Sequence, residues 1–245
     1  MPSAGEIFEV FLLVVAAAAA IAALAHTAPF PFVLDHLYGG RVLWRMPHDG
    51  RPPTVYLTFD DGPNPEVTPG LLDLLARERV PATFFLIERH LTAETQPIVQ
   101  RMAAEGHALA LHSHTRHLML MRPSALKAHL SSFADRLTSI TGAPPCRAFR
   151  PHAGWRGSNM LAGLAEMDYR LVGWGWMLWD WDFFRPRDVG IVPRLVRQAS
   201  PGDIVVIHDG HHENPRADRR SAIDIAARLI PALRAKGLGF GTVCP

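Results

Sequence analysis

Five short stretches carry the residues best suited to chemistry, and each closes an apolar run. "VYLTFDDGPNP" (55–65) ends on two adjacent carboxylates, Asp60 and Asp61. Carboxylates this close repel unless a cation or a proton lies between them. A metal ion resolves the conflict, because one aspartate can ligate it while the other stays free as a base. Taken alone, the pair could equally be a turn cap beside a solvent-facing aspartate. "GHALALHSHTRHLML" (106–120) runs into His112, His114 and His117. Two imidazoles and one carboxylate make a three-ligand set that leaves room for water and substrate. "FRPHAGWR" (149–156) offers Arg150, whose guanidinium can grip a carboxylate with two parallel bonds, or sit on the surface. "WGWMLWDWDFF" (174–184) combines tryptophans suited to sugar faces, or to core packing, with Asp180 and Asp182. "DIVVIHDG" (203–210) ends on His208, a general acid if a carboxylate orients it.

Strands must position these groups. Apolar runs at 54–59, 82–87, 108–112, 146–150, 171–176, 203–208 and 240–244 read as seven strands. Segments of helical period lie between them. In the clearest, 124–141, Leu126, Leu130, Phe133, Leu137 and Ile140 share one face. Thr68 reads as an N-cap before Pro69, and a last helix at 221–236 stops before Gly237. Alternation of this kind implies a parallel α/β fold with right-handed crossovers. Five polar strand ends point to one shared site, as at the C-terminal rim of an α/β barrel. About seven strands make a barrel one unit short of eight.

The rest of the chain bounds the reading. With 245 residues, 48% hydrophobic and 20% charged, it fits one large domain or two small ones. A formal net charge of +2, without basic–aromatic runs, argues against a nucleic-acid partner. Cys146 and Cys244 form neither a CxxC motif nor a framework and read as two unpaired thiols. Residues 1–26 form a hydrophobic segment, with "IFEVFLLVVAAAAAIAALA" (7–25) long enough for a membrane helix. A cleaved signal peptide or a docked helix are the alternatives. No basic residue precedes it, while Arg41, Arg45 and Arg51 follow, so its orientation stays open. Residues 27–53 read as a connector, and 54–245 as the catalytic domain.

In this order, the five stretches resemble the NodB-homology domain of polysaccharide deacetylases (carbohydrate esterase family 4), with "TFDDGP" as the specific anchor. The resemblance covers about 54–244. It implies a distorted (β/α)7 barrel, preceded here by the hydrophobic helix, that removes N-acetyl groups from amino sugars with one divalent ion. Zinc is expected, with cobalt or another divalent ion as alternatives. Asp60 is implied as catalytic base, Asp61 as metal carboxylate and His112 as the first metal histidine. Arg150 is implied to position the base, His208 to be the acid, and Asp182 to support that acid. A backbone N–H near Ala153 is implied for the oxyanion.

Two departures stand out. The residue four after His112 is Arg116, which cannot ligate a metal. A one-residue bulge makes His117 the second metal histidine, with His114 as runner-up. His152-Ala153 replaces the family's Pro-Tyr, so Trp155 is expected to compensate for the missing ring and Trp179 to help bind sugar. In the loop "HDGHHENPRADRR" (208–220), His211, His212 and Glu213 could form a second metal site, although a solvated loop fits better. Its Arg216 and Arg219, with Arg185 and Arg187, could meet an anionic substrate. The expected activity is hydrolysis of an N-acyl amino sugar in a glycan, in a membrane-associated, cell-envelope enzyme. The alternatives are a deacylase of a lipid-linked sugar and a sugar-binding pseudoenzyme that has lost its metal.

Overall fold

A computed structural model of the chain describes residues 3–26, 42–48, 50, 52–175, 177–181 and 190–244. Its centre is a parallel sheet of β1 (Val42–Leu43), β2 (Thr54–Gly62), β3 (Thr83–Ile87), β4 (Ala108–His112), β5 (Ala148–Arg150), β6 (Arg170–Val172) and β7 (Ile204–His208). The spatial order is β1-β6-β5-β4-β3-β2-β7, and β8 (Gly239–Phe240) pairs β2 at its start. Just past β1, Arg45 makes an antiparallel bridge to Asp203, the residue before β7. The two edges thus approach each other, and the sheet curls into the expected distorted, partly open (β/α) barrel.

The covering helices form for the reasons their spacing implies. α2 (Thr68–Glu78) and α3 (Gln96–Ala104) each carry proline in the first turn, where its missing N–H costs nothing. α4 (Pro123–Thr141) buries Leu126, Leu130, Phe133, Leu137 and Ile140 and ends at Gly142, whose φ of 77° supplies a left-handed cap. Each of these side chains gains about 1.5–3 kcal/mol from burial. α5 (Ser158–Glu166) packs on α4, and α6 (Ile191–Gln198) on α7 (Arg220–Ala235). Thr68 lies inside α2 rather than capping it, because its hydroxyl accepts from the Asn64 N–H and donates to Asp209.

Three expectations need correction. The connector contributes β1 to the sheet. Within the run at 171–176 the regular strand ends at Val172, after which the Gly173 N–H donates to the Leu43 carbonyl and the Gly175 N–H to that of Ile204. Cys146 and Cys244 are not free thiols: they form a disulfide between Cα atoms 6.0 Å apart, 98 residues apart in sequence. β8 has ended by then, so a covalent bond holds the end of the chain against β5's entry. At the other terminus α1 (Ala4–His26) forms and leaves Ile7, Phe8, Phe11 and Leu13 exposed. Among the described residues no helix is long and apolar enough to cross a membrane.

Candidate active site

The paired aspartates share one cavity because the backbone breaks the strand alternation between them. Asp60 sits opposite Phe85 on β3 and His208 on β7. Asp61 then turns to a φ of 69°, and the register slips between Asp60 and Gly62. Adjacent strand residues normally point to opposite faces; here both carboxylates line a cavity of about 540 Å³ with His112, Ala153, Trp179 and His208. A Cβ at Gly62 would lie 2.9 Å from Asp209, and one at Gly210 would lie 1.9 Å from the Asp61 carbonyl, so only glycine fits either place.

Arg150 is fully buried and donates through Nη1 to Asp60 Oδ1 at 2.5 Å. The contact uses one nitrogen, not two. The remaining donors go to Thr58 Oγ1 and to the carbonyls of Val172 and Gly173, and the guanidinium lies 4.0 Å over the Phe85 ring. This web fixes the Asp60 carboxylate in one orientation.

His112 donates through Nδ1 to the Arg150 carbonyl at 2.6 Å, which leaves the Nε2 lone pair facing Asp61 Oδ1 at 3.2 Å. That oxygen is buried without a hydrogen-bond partner. Burial opposes charge on Asp61, yet where His112, His208 and His152 carry their second ring protons they outweigh it and hold the carboxyl far below the usual range. Two ligands of one tetrahedral ion, at bond lengths near 2.0–2.2 Å, stand roughly 3.3–3.5 Å apart. Asp61 and His112 fit that requirement.

The expected third ligand does not join them. His117 lies exposed on a 3-10 turn, Arg116–Leu120, which starts where Thr115 accepts the His117 N–H. The Arg116 guanidinium packs 5.2 Å over Trp155. His114 is half-buried near Arg89, Glu88 and His129. Neither histidine lines the cavity, and neither does Trp155. Among the described residues no three His, Cys, Asp or Glu side chains converge closely enough to hold an ion. This also disposes of a formed second metal site at His211, His212 and Glu213, although both histidines turn in to line the cavity.

His208 donates through Nδ1 to Asp180 Oδ1 at 2.7 Å, and its backbone N–H donates to Asp180 Oδ2 at 2.8 Å. Burial works against the imidazolium, but Asp180, with Asp61 and Asp60, overrides it and raises the pKa to about 9. The ring is therefore protonated at neutral pH, as an acid must be. Asp182, expected in this supporting role, lies outside the described residues, as do Arg185 and Arg187. The motif "WDWD" holds two aspartates of equal strand parity, so spacing alone could not choose between them. Trp179 stacks on Trp181, which meets the His208 ring edge-on. Ala153 takes a φ of 51° in the turn after β5.

Nothing in the residue pattern pointed to Asp209. It is fully buried, accepts from Thr68 Oγ1 at 2.5 Å, and packs under Gly62. Burial, with Asp61 and Asp60 nearby, pushes its carboxyl up to about 7. Of the loop arginines, Arg216 is held by Glu66 and Glu94, both at 2.5 Å, whereas Arg219 lines the cavity.

Comparison with known proteins matches this geometry to a family. The polysaccharide deacetylase family model matches residues 48–172. A chitooligosaccharide deacetylase of Bradyrhizobium is 36% identical over 196 residues, covering 75% of this chain and 86% of that protein. A peptidoglycan-N-acetylglucosamine deacetylase of Bacillus cereus is 30% identical over 204 residues, covering 83% and 92%. The crystal structure of a peptidoglycan N-acetylglucosamine deacetylase, in complex with a naphthalenyl N-oxidanyl-benzamide, superposes with a TM-score of 0.72 at 27% identity, covering 88% of this chain and 95% of that one. The chain belongs to the polysaccharide deacetylase family. Its activity is metal-dependent hydrolysis of the N-acyl amide of an amino sugar.

Proposed function

We propose that the enzyme removes the acetyl group from N-acetylglucosamine units of a cell-envelope glycan or an oligosaccharide, using Asp60 as base and His208 as acid. The observation that carries this reading is a carboxylate and an imidazole on one cavity, each held by its own charged partner. Arg150 orients the Asp60 carboxylate, and Asp180 keeps His208 protonated. Asp60 takes a proton from the water that attacks the acyl carbon. His208 gives its Nε2 proton to the amide nitrogen as the C–N bond breaks, so one water and one amide become one carboxylic acid and one amine. The Ala153 backbone N–H is assigned to the oxyanion, and the Trp179 ring to a sugar face. Asp61 and His112 would hold a divalent ion, whose positive charge would polarise the acyl carbonyl. Imidazole and carboxylate ligands favour zinc, with cobalt as a substitute.

The named activities of the relatives on chitooligosaccharides and peptidoglycan support the substrate class. The disulfide supports an oxidising compartment, and with it the cell envelope. The exposed apolar side chains of α1 support attachment to a membrane. A lipid-linked anionic sugar is a second reading, favoured by Arg219 on the cavity wall. The test is release of free amine from neutral N-acetylated chitooligosaccharides and from peptidoglycan strands, for wild type and Asp60→Asn. Wild type releases amine, and the variant loses about 10²–10⁴-fold in rate. No release from either substrate, or equal rates in the two proteins, overturns the assignment.

A further inference from the structure

The metal pair Asp61 and His112 lacks the partner that residue spacing assigns to it, and the neighbouring strand offers another. β4 and β5 pair His112 with Arg150 on one rung. Two residues past Arg150, the His152 N–H donates to Ser113 Oγ at 2.8 Å, and Ser113 directly follows His112. The two strand ends are thereby stitched together, and His152 emerges beside His112 into the same cavity. Position 116, where the histidine spacing calls for a ligand, holds an arginine packed on Trp155, and His117 is exposed. The other cavity histidines, His211 and His212, ride on the loop after β7, which Arg216 ties to Glu66 and Glu94.

We propose that this enzyme holds its ion with Asp61, His112 and His152, and that His117 is not a ligand. The inference rests on the metal-dependent reading of the site. As placed, the three side chains have not converged on an ion. Because Ser113 pins the His152 backbone, the ring closes on the pair by turning about its own side-chain bonds. The substitution of histidine for the family's proline at 152 then compensates for the arginine at 116. The ligand has moved from the loop after β4 to the loop after β5, and the set remains two imidazoles and one carboxylate.

The test uses the full chain, stripped with a chelator and reloaded with Zn²⁺ or Co²⁺. Metal per chain and Co²⁺ absorption are read for wild type, His152→Ala, His117→Ala and His114→Ala, with circular dichroism of the metal-free proteins as the folding control. Wild type is expected to hold one ion. His152→Ala should weaken binding by more than about 100-fold, beyond the loss of an outer hydrogen-bond partner, while the other two variants match wild type. Retention by His152→Ala overturns the inference alone; absence of an ion in wild type overturns it together with the metal-dependent reading. Should His152→Ala misfold, His117→Ala still decides: retention supports the assignment and loss overturns it.

Discussion

Replacing Asp180 with asparagine should move the alkaline limb of the pH–rate profile. The carboxylate makes two contacts with His208, one to Nδ1 and one to the backbone N–H. An asparagine has one acceptor oxygen, so it keeps at most one of them, and it removes the negative charge that holds the imidazolium. With the pKa near 9 in the native site, about 90% of His208 is protonated at pH 8; at an ordinary value of about 6.5, roughly 3% is. Loss of the acid form alone therefore lowers kcat/KM about 30-fold at pH 8. Near pH 6 both proteins carry a protonated ring, and only the loss from poorer orientation remains. In the variant burial still lowers the His208 pKa while Asp61 and Asp60 still raise it, so about 30-fold is the protonation effect when these remaining influences cancel. The linkage has the same sign: His208 is raised on folding, so its stabilising contribution is complete below pH about 6.5 and is lost as pH rises through about 9. The assay is amine release from N-acetylated chitooligosaccharide between pH 5.5 and 9.5. An unmoved alkaline limb in Asp180→Asn, or a limb that moves in Asp182→Asn instead, refutes the reasoning.

Two further outcomes follow from buried contacts. Arg150→Met leaves Asp60 buried without its cation and should cost about 3–5 kcal/mol of stability; an unfolding free energy from urea titration within roughly 0.5 kcal/mol of wild type counts against it. Reducing the Cys146–Cys244 bond, or changing both cysteines to serine, frees the ends of a long loop and should cost about 2–5 kcal/mol. Coincident unfolding curves with and without reductant rule that out.

The barrel was legible because its strands are short apolar runs closed by polar residues, and its helices keep one apolar face. The family resemblance held, carried by "TFDDGP". What the sequence hid were relations across space. Cys146 and Cys244 meet only because β5 and the chain's end lie side by side, which no spacing reports. β1 is two residues long and pairs only through β6, so a proline- and glycine-rich context masked it. Asp60, Asp61, His112, Ala153, Trp179 and His208 lie around one cavity, where their strand-end positions suggested. The second metal histidine was inferred by counting along one loop, and in the structure His117 lies exposed on that loop, away from the cavity. Asp180 was missed in favour of a neighbour two residues on, because parity is the same for both. Asp209 follows His208, but its depth beneath Gly62 depends on a turn in another strand.

The ladder between β2 and β7 acts as a ruler for the reaction. Asp60 and His208 occupy the same rung, so the gap between the proton acceptor and the proton donor is set by the spacing of neighbouring strands, about 4.8 Å between backbones. Loop changes around the rim can alter which glycan enters without altering that gap. A slip of one residue between the strands would separate the two groups and turn one of them toward the barrel wall. Substrate choice and proton transfer are thus set by different parts of the chain, and the rim can diverge while the rung stays fixed.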